Sequence, residues 1–227
     1  MKPLKGSKLK KRITRAAALA AAMALCMGIA AAGAQATPVF EAGSYTATVR
    51  GETSTFVIGT EGGNIECQTT SFHGTLAAAS SSLVVQPAIS SCIAWGFINL
   101  TVNNQSCGYL LRATEKQATD EYKAHFDVTC PGSGGFLYSA GTCSMEIPPQ
   151  EGRTSVDIDD ATGSPNRVNT TLEVGSLTYV VTKDGFGCPF KGTGTKTDGT
   201  LTSGTFPMKA FKLNNLTEEI GLLVSGA

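Results

Sequence analysis

Two histidines, a run of aspartates, one tryptophan and seven cysteines are the residues of this chain whose chemistry is worth tracing first. His73 sits in Ser71-Phe72-His73-Gly74-Thr75, and His125 lies in the alternating stretch Ala124–Cys130. An imidazole beside a serine and a carboxylate is the constellation of a hydrolase, with the ring as general base. No Gly-x-Ser-x-Gly, His-Glu-x-x-His or Ser-x-x-Lys pattern frames either histidine. One turn histidine and one outward strand histidine are therefore expected, with no catalytic assignment.

Asp157-Ile158-Asp159-Asp160 is the next candidate. On a strand, Asp157 and Asp159 face the same way about 6.5–7 Å apart, a separation that suits a calcium ion or glycosidic-bond chemistry. Val156 and Ile158 occupy the alternate positions, which is the pattern of a half-buried strand with a wet outer face. The spacing also departs from an EF-hand loop. Asp157, Asp159 and His73 are the residues a secreted-hydrolase reading would use.

Trp95-Gly96-Phe97 follows Cys92 closely, and Phe186 and Phe190 flank Cys188. Exposed, Trp95 and Phe97 would form a shelf for stacking on sugar rings, since an aromatic ring offers a flat apolar face. As the only Trp, Trp95 is expected in the core, packed over a disulfide.

Six of the seven cysteines follow the N-terminal apolar run: Cys67, Cys92, Cys107, Cys130, Cys143 and Cys188. They are separated by 24, 14, 22, 12 and 44 residues, with no Cys-x-x-Cys. Zinc sites usually show close ligand pairs, so no metal and no cofactor is expected, and a disulfide framework is. Fifteen pairings are open to six cysteines. Strand register ranks them. Setting Cys107 opposite Cys130 places Tyr109 opposite Val128, Leu111 opposite Phe126 and Ala113 opposite Ala124, all apolar on one face. Cys67 with Cys92 fits less well, because Phe72, Leu76, Leu83 and Val85 then share the opposite face, and either a bulge or a different pairing is required. Cys143 with Cys188 remains.

The elements that must hold these residues are strands. Ser44–Val49, Ala124–Cys130, Leu177–Val181 and Ile220–Val224 all alternate, and helical periodicity is nearly absent. Glu61-Gly62-Gly63-Asn64, Pro131–Gly135, Pro148-Pro149, Gly163–Asn166 and Asp198-Gly199 mark turns. One short helical fragment is expected around Asn215–Glu219. The fold class is all-β, an antiparallel β-sandwich-like body, either one domain or two closely joined β-halves divided near 148–153.

Residues 1–36 explain the seventh cysteine. Seven basic residues precede the apolar run Ala16–Ala32, which contains Cys26, and Ala34-Gln35-Ala36 is a small-x-small cleavage site. Leu25 before Cys26 argues against a lipid anchor, and Lys11-Arg12 lacks the paired arginines of a twin-arginine signal. Cleavage leaves 37–227 with eleven basic and eighteen acidic residues, a charge of −7. That balance argues against nucleic acid or an anionic membrane as partner, and no later segment reaches transmembrane-helix length. The sequons at Asn99, Asn104, Asn169 and Asn215 matter only in a glycosylating host.

The pattern resembles a family of uncharacterised exported proteins from actinobacteria with an Ala-rich leader and a Cys-stapled β-body. The resembling pieces are Ile65-Glu66-Cys67, Phe72–Thr75, Ser91-Cys92, Trp95–Phe97, Cys107–Tyr109, Val128–Pro131, Gly141–Cys143, Ile147–Gln150 and Gly185–Pro189. The resemblance implies export and a six-cysteine body, and no activity. The expectation from the sequence is a secreted or cell-surface, non-enzymatic binding or structural module, with an extracellular glycan or protein as partner. The alternatives are a secreted hydrolase, or a secreted inhibitor acting through the loop 131–135.

Overall fold

The computed structural model describes residues 37–43, 46–52, 54–161 and 165–226. The leader 1–36 with Cys26, Tyr45, and the turn at Gly163-Ser164 lie outside the described residues. One compact unit runs from Thr37 to Ala227.

Its strands are, in order, β1 (Val39–Glu41), β2 (Ala47–Gly51), β3 (Ser54–Thr60), β4 (Gly63–Leu76), β5 (Ala79–Ser80) and β6 (Ser82–Ala94). There follow β7 (Ile98–Asn103), β8 (Gly108–Ala118), β9 (Glu121–Thr129), β10 (Phe136–Ala140), β11 (Cys143–Ile147) and β12 (Gln150–Ala161). The last are β13 (Arg167–Asp184), β14 (Gly194–Ser203), β15 (Phe206–Lys212), β16 (Asn215–Glu219) and β17 (Leu223–Ser225). The body is thus the antiparallel all-β one that the alternation called for.

The pairings do more than stack two sheets. β2 continues into β3, and both pair with β4 in one register: Ala47 lies opposite Leu76 and Thr60 opposite Gly63. In the same way β7 continues into β8, β9 into β10, β11 into β12, and β14 into β15. With β4, β6 and β13 these make eight long antiparallel runs, each paired with the next in sequence. The last run pairs with the first, Thr200 opposite Gly59 and Ala210 opposite Val49, so the sheet closes on itself. Closure leaves the long strands no free edge to template aggregation.

A belt of irregularities crosses this closed sheet at mid-height. Buried residues switch parity between Gly51 and Ser54, between Cys67 and Phe72, between Pro87 and Cys92, and between Val174 and Leu177. The bulges there are what the Cys67–Cys92 pairing required: they let Cys67 and Phe72 both face inward. Pro148 and Pro149 stand in the same belt, where β11 gives way to β12 along β13. Phe72 lies beside Phe56, Phe206 and Tyr109, and Tyr109 reaches Phe126 and Phe136, so an aromatic chain spans the interior.

All three disulfides pair as ranked, Cys67–Cys92, Cys107–Cys130 and Cys143–Cys188. Tyr109 faces Val128, Leu111 faces Phe126 and Ala113 faces Ala124, as the register argument set them. The expected helical fragment is not formed. Asn215–Glu219 is a strand paired with β15, and the Asn215 side chain accepts hydrogen bonds from the Thr217 amide and hydroxyl. A local Asx bond competes with the helix that so short a segment needs tertiary help to form.

The first and last strands of the body are clasped together. β1 pairs with β17 and with β5 in a small separate sheet. The clasp is held by Asp160, which accepts from the Val224 amide at 2.9 Å, by the Leu222 amide donating to the Asn166 carbonyl, and by Lys116 Nζ donating to the Gly226 carbonyl. Burial, with Asp120 and Asp159 nearby, pushes the Asp160 carboxyl up to about 6 against the pull of the Val224 amide. A carboxyl raised on folding contributes stability below its unfolded value that is lost as pH rises through about 6. Asp160→Asn keeps an acceptor for Val224 and removes the charge. It is expected to raise the thermal midpoint at pH 7.5, with the gain gone near pH 4; equal gains at both pH values would exclude the charge as the cause.

Candidate binding rim

Four connections meet at one end of the closed sheet: Glu61-Gly62 between β3 and β4, Trp95–Phe97 between β6 and β7, Gly141-Thr142 between β10 and β11, and residues 185–193 between β13 and β14. The last is long and does two things. It is stapled at its start by Cys143–Cys188 and by the Gly185 amide donating to the Thr142 carbonyl. It then buries Phe190 and runs against the neighbouring turn, where a Cβ on Gly62 would lie 1.9 Å from the Pro189 carbonyl oxygen. Only glycine allows that approach.

Trp95 sits on the other side of the same turn. Its indole N–H donates to the Gly62 carbonyl at 2.8 Å, and its backbone amide to the Asn64 carbonyl at 3.3 Å. A Cβ on Gly63 would lie 2.3 Å from the indole nitrogen. The two glycines that the sequence marks as a turn signal are therefore the seats of Pro189 and Trp95.

The Trp95 backbone is the unusual feature. Phe97 donates its amide to the Ala94 carbonyl, and the two central residues of this tight turn, Trp95 and Gly96, have φ of 53° and 77°. Such turns take Asn-Gly or Gly-Gly, and a bulky side chain in the left-handed region costs about 1–2 kcal/mol. Trp95 accepts that cost and is still 40% exposed. The core position expected for the only tryptophan is not what the structure shows. The reason is the turn: the positive φ carries the ring over the β3–β4 turn and away from the interior.

Phe97 is 73% exposed, its ring 6.3 Å from that of Trp95 and tilted by 38°. Phe186 is fully exposed, while Phe190, on the other side of Cys188, is buried. Trp95, Phe97 and Phe186 are the exposed aromatics among the described residues, and all three stand on this rim. The exposed aliphatic residues Val84, Leu213 and Leu216 lie elsewhere, on β6 and beside the β15–β16 turn. The sequence placed Trp95 and Phe97 together and Phe186 only as a flank of Cys188; the Gly-Phe-Gly triplet at 185–187 was the available signal that it sits on a loop.

The candidate catalytic residues are not brought together. His73 is on the outer face of β4 and hydrogen-bonds Ser71 Oγ at 2.8 Å. Asp157 and Asp159 face outward on β12, and Asp157 pairs with Lys123 of β9. β6, β8 and β9 stand between β4 and β12. His125, on β9, lies opposite Arg112. Among the described residues no carboxylate hydrogen-bonds either imidazole. Asp127, two residues after His125, is outward yet buried, because the Gly152 amide donates to it at 2.6 Å and Arg112 pairs with it at 2.9 Å. The loop 131–135 is pinned at Gly135, where a Cβ would meet the Ile147 carbonyl, with Pro131–Ser133 exposed.

The six cysteines of the body are all bridged, which removes them as metal ligands. Among the described residues no helix is long and apolar enough to cross a membrane. Fold and site together define a disulfide-stapled, closed antiparallel β-body with an aromatic rim. No family model, no curated protein and no solved structure matches this chain.

The seat of Trp95 gives a direct test. Gly63 has φ of 135°, and Gly63→Ala adds both backbone strain and a clash with the indole. The variant is expected to lose about 1–3 kcal/mol and to show red-shifted, more readily quenched fluorescence from the single tryptophan. Unchanged emission would mean that the indole does not rest on this turn.

Proposed function

We propose that the chain is exported, loses residues 1–36, and works outside the cell as a non-enzymatic binding module whose contact surface is the Trp95–Phe97 turn and its surroundings. The observation that carries the reading is Trp95 itself: a bulky ring kept at positive φ, fixed through its N–H, with its face left to solvent. Strain of this kind persists where surrounding structure over-determines it, and it concentrates at ligand contacts. An exposed ring that is already immobilised loses little further entropy when a ligand stacks on it.

Export is supported by the basic-then-apolar leader with its Ala34-Gln35-Ala36 site, and by six bridged cysteines, which suit an oxidising compartment. A non-enzymatic role is supported by the separation of His73 from the aspartates of β12. The deciding experiment is the intact mass of the protein from culture supernatant, alkylated before and after reduction. A mass for Thr37–Ala227 with no thiol alkylated until reduction is expected. A retained leader, a lipid adduct or free thiols would overturn the exported-module reading.

A further inference from the structure

We infer that the ligand of this rim is an uncharged polysaccharide chain, stacked along Trp95, Phe97 and Phe186; the inference rests on the binding-module reading above. Three features of the surface point to it.

The first is that the exposed apolar residues of the rim are all aromatic. A protein-docking surface mixes aromatic with aliphatic side chains around a buried centre, whereas sugar rings call for flat, isolated apolar platforms. Here the large aliphatic side chains that remain exposed are at other places on the body.

The second is the layout. Trp95 and Phe97 form an open pair with centroids 6.3 Å apart. Phe186 precedes Pro189 by three residues, so it lies within about 10 Å of it along the chain. Pro189 in turn touches Gly62, the acceptor of the indole N–H. The three rings are therefore carried on neighbouring connections of one rim, as three separate platforms. That is the arrangement for a chain and not for a monosaccharide.

The third is charge. The body carries −7 without its leader. At the rim, Glu61 pairs with Lys196 at 3.6 Å and Lys191 is exposed on the 185–193 loop, so the bias against a polyanion comes from the net charge of the body as a whole. A polyanion would meet net repulsion, and an uncharged polymer would not. Both supports of the platform are held: Trp95 is tied at two points, through its indole N–H and its backbone amide, and the Phe186 loop is tied by Cys143–Cys188 two residues later.

The test is affinity electrophoresis of the Thr37–Ala227 protein, its three disulfides formed, through gels containing laminarin, hydroxyethylcellulose or galactomannan, with alginate as the anionic comparison. Trp95→Asn keeps a residue suited to the turn and removes the ring; Phe97→Ala and Phe186→Ala remove the others. Retardation by at least one neutral polymer is expected. Each single change should weaken it about 2- to 12-fold, and the triple variant should lose it while still melting cooperatively. No retardation by any of the three neutral polymers, stronger retardation by alginate, or full retention in the triple variant would each overturn the inference. A photo-crosslinking residue at position 97, exposed to the producing culture, separates the two levels. Capture of a protein there would overturn the glycan and leave the binding module standing, and absence of both gel retardation and any crosslink would remove the module as well.

Discussion

Phe72→Ala is expected to cost about 3–5 kcal/mol, while Phe186→Ala costs nothing measurable. The two residues are the same in type and opposite in setting. Phe72 is fully buried, stacked on Phe206 at 4.8 Å, edge-on to Phe56 at 5.5 Å and within 6.4 Å of Tyr109. Its room is made by a neighbour's lack of a side chain, since a Cβ on Gly51 would come within 2.7 Å of its ring. Truncation therefore leaves a cavity bounded by strands paired on both sides, which cannot collapse into it. A loss of this size is a large part of the 5–15 kcal/mol that holds a typical domain together, so the denaturant midpoint should fall steeply. Phe186 is fully exposed and has no such cavity to leave. Equal effects of the two substitutions on the midpoint would mean that the aromatic chain is not the centre of the core.

The double substitution Cys107→Ala/Cys130→Ala is the second large effect. The bridge joins residues 23 apart in sequence, and in the chain-entropy account closing a loop of that length stabilises by about 3–4 kcal/mol through the unfolded state. Cys107 is fully buried, so the double alanine also leaves an apolar gap. For a chain of this size the thermal midpoint should drop by about 6–16 °C. Because Gly108–Thr129 and the pairs beyond it hold the register without help from the bridge, the variant should keep its far-ultraviolet β spectrum. A variant that melts where the wild type does would show that the β8–β9 pairing already constrains the unfolded chain. Loss of the β spectrum would show the reverse, that the bridge sets the register.

The register of that hairpin is the clearest case of structure legible in sequence. Tyr109, Leu111 and Ala113 alternate on one strand, Val128, Phe126 and Ala124 on the other, and the two cysteines lock the frame, so only one alignment buries every apolar side chain. Strand alternation is a local property with a period of two, and it survives translation into structure wherever one face is buried. The Cys67–Cys92 pair needed more. Its apolar residues change parity midway, which the sequence shows as a misfit, and which the structure resolves with bulges in β4 and β6. The same kind of break recurs around the closed sheet, and its position depends on neighbours that are remote in sequence.

The rim was legible only in its parts. Trp95-Gly96-Phe97 and Gly62-Gly63 are visible in the chain as aromatics and as a turn. That the indole rests on Gly63, with its N–H on the Gly62 carbonyl, depends on β4 pairing with β6. The direction of a ring at positive φ is a backbone property that residue type does not encode, and tryptophan by type belongs inside. Asn215–Glu219 went the other way for a related reason: a five-residue segment takes the structure of the strand it lies beside.

The sequence by itself therefore determined the class of the fold, the register of the Cys107–Cys130 hairpin and which faces of its two strands turn inward, because each follows from alternation and short-range register. Tertiary structure alone decided that the last run closes on the first, that Asp160 and Lys116 hold the last strand, and that three aromatic rings share one rim. These are contacts between residues far apart along the chain, set by how the sheet curves, and no local pattern carries that curvature.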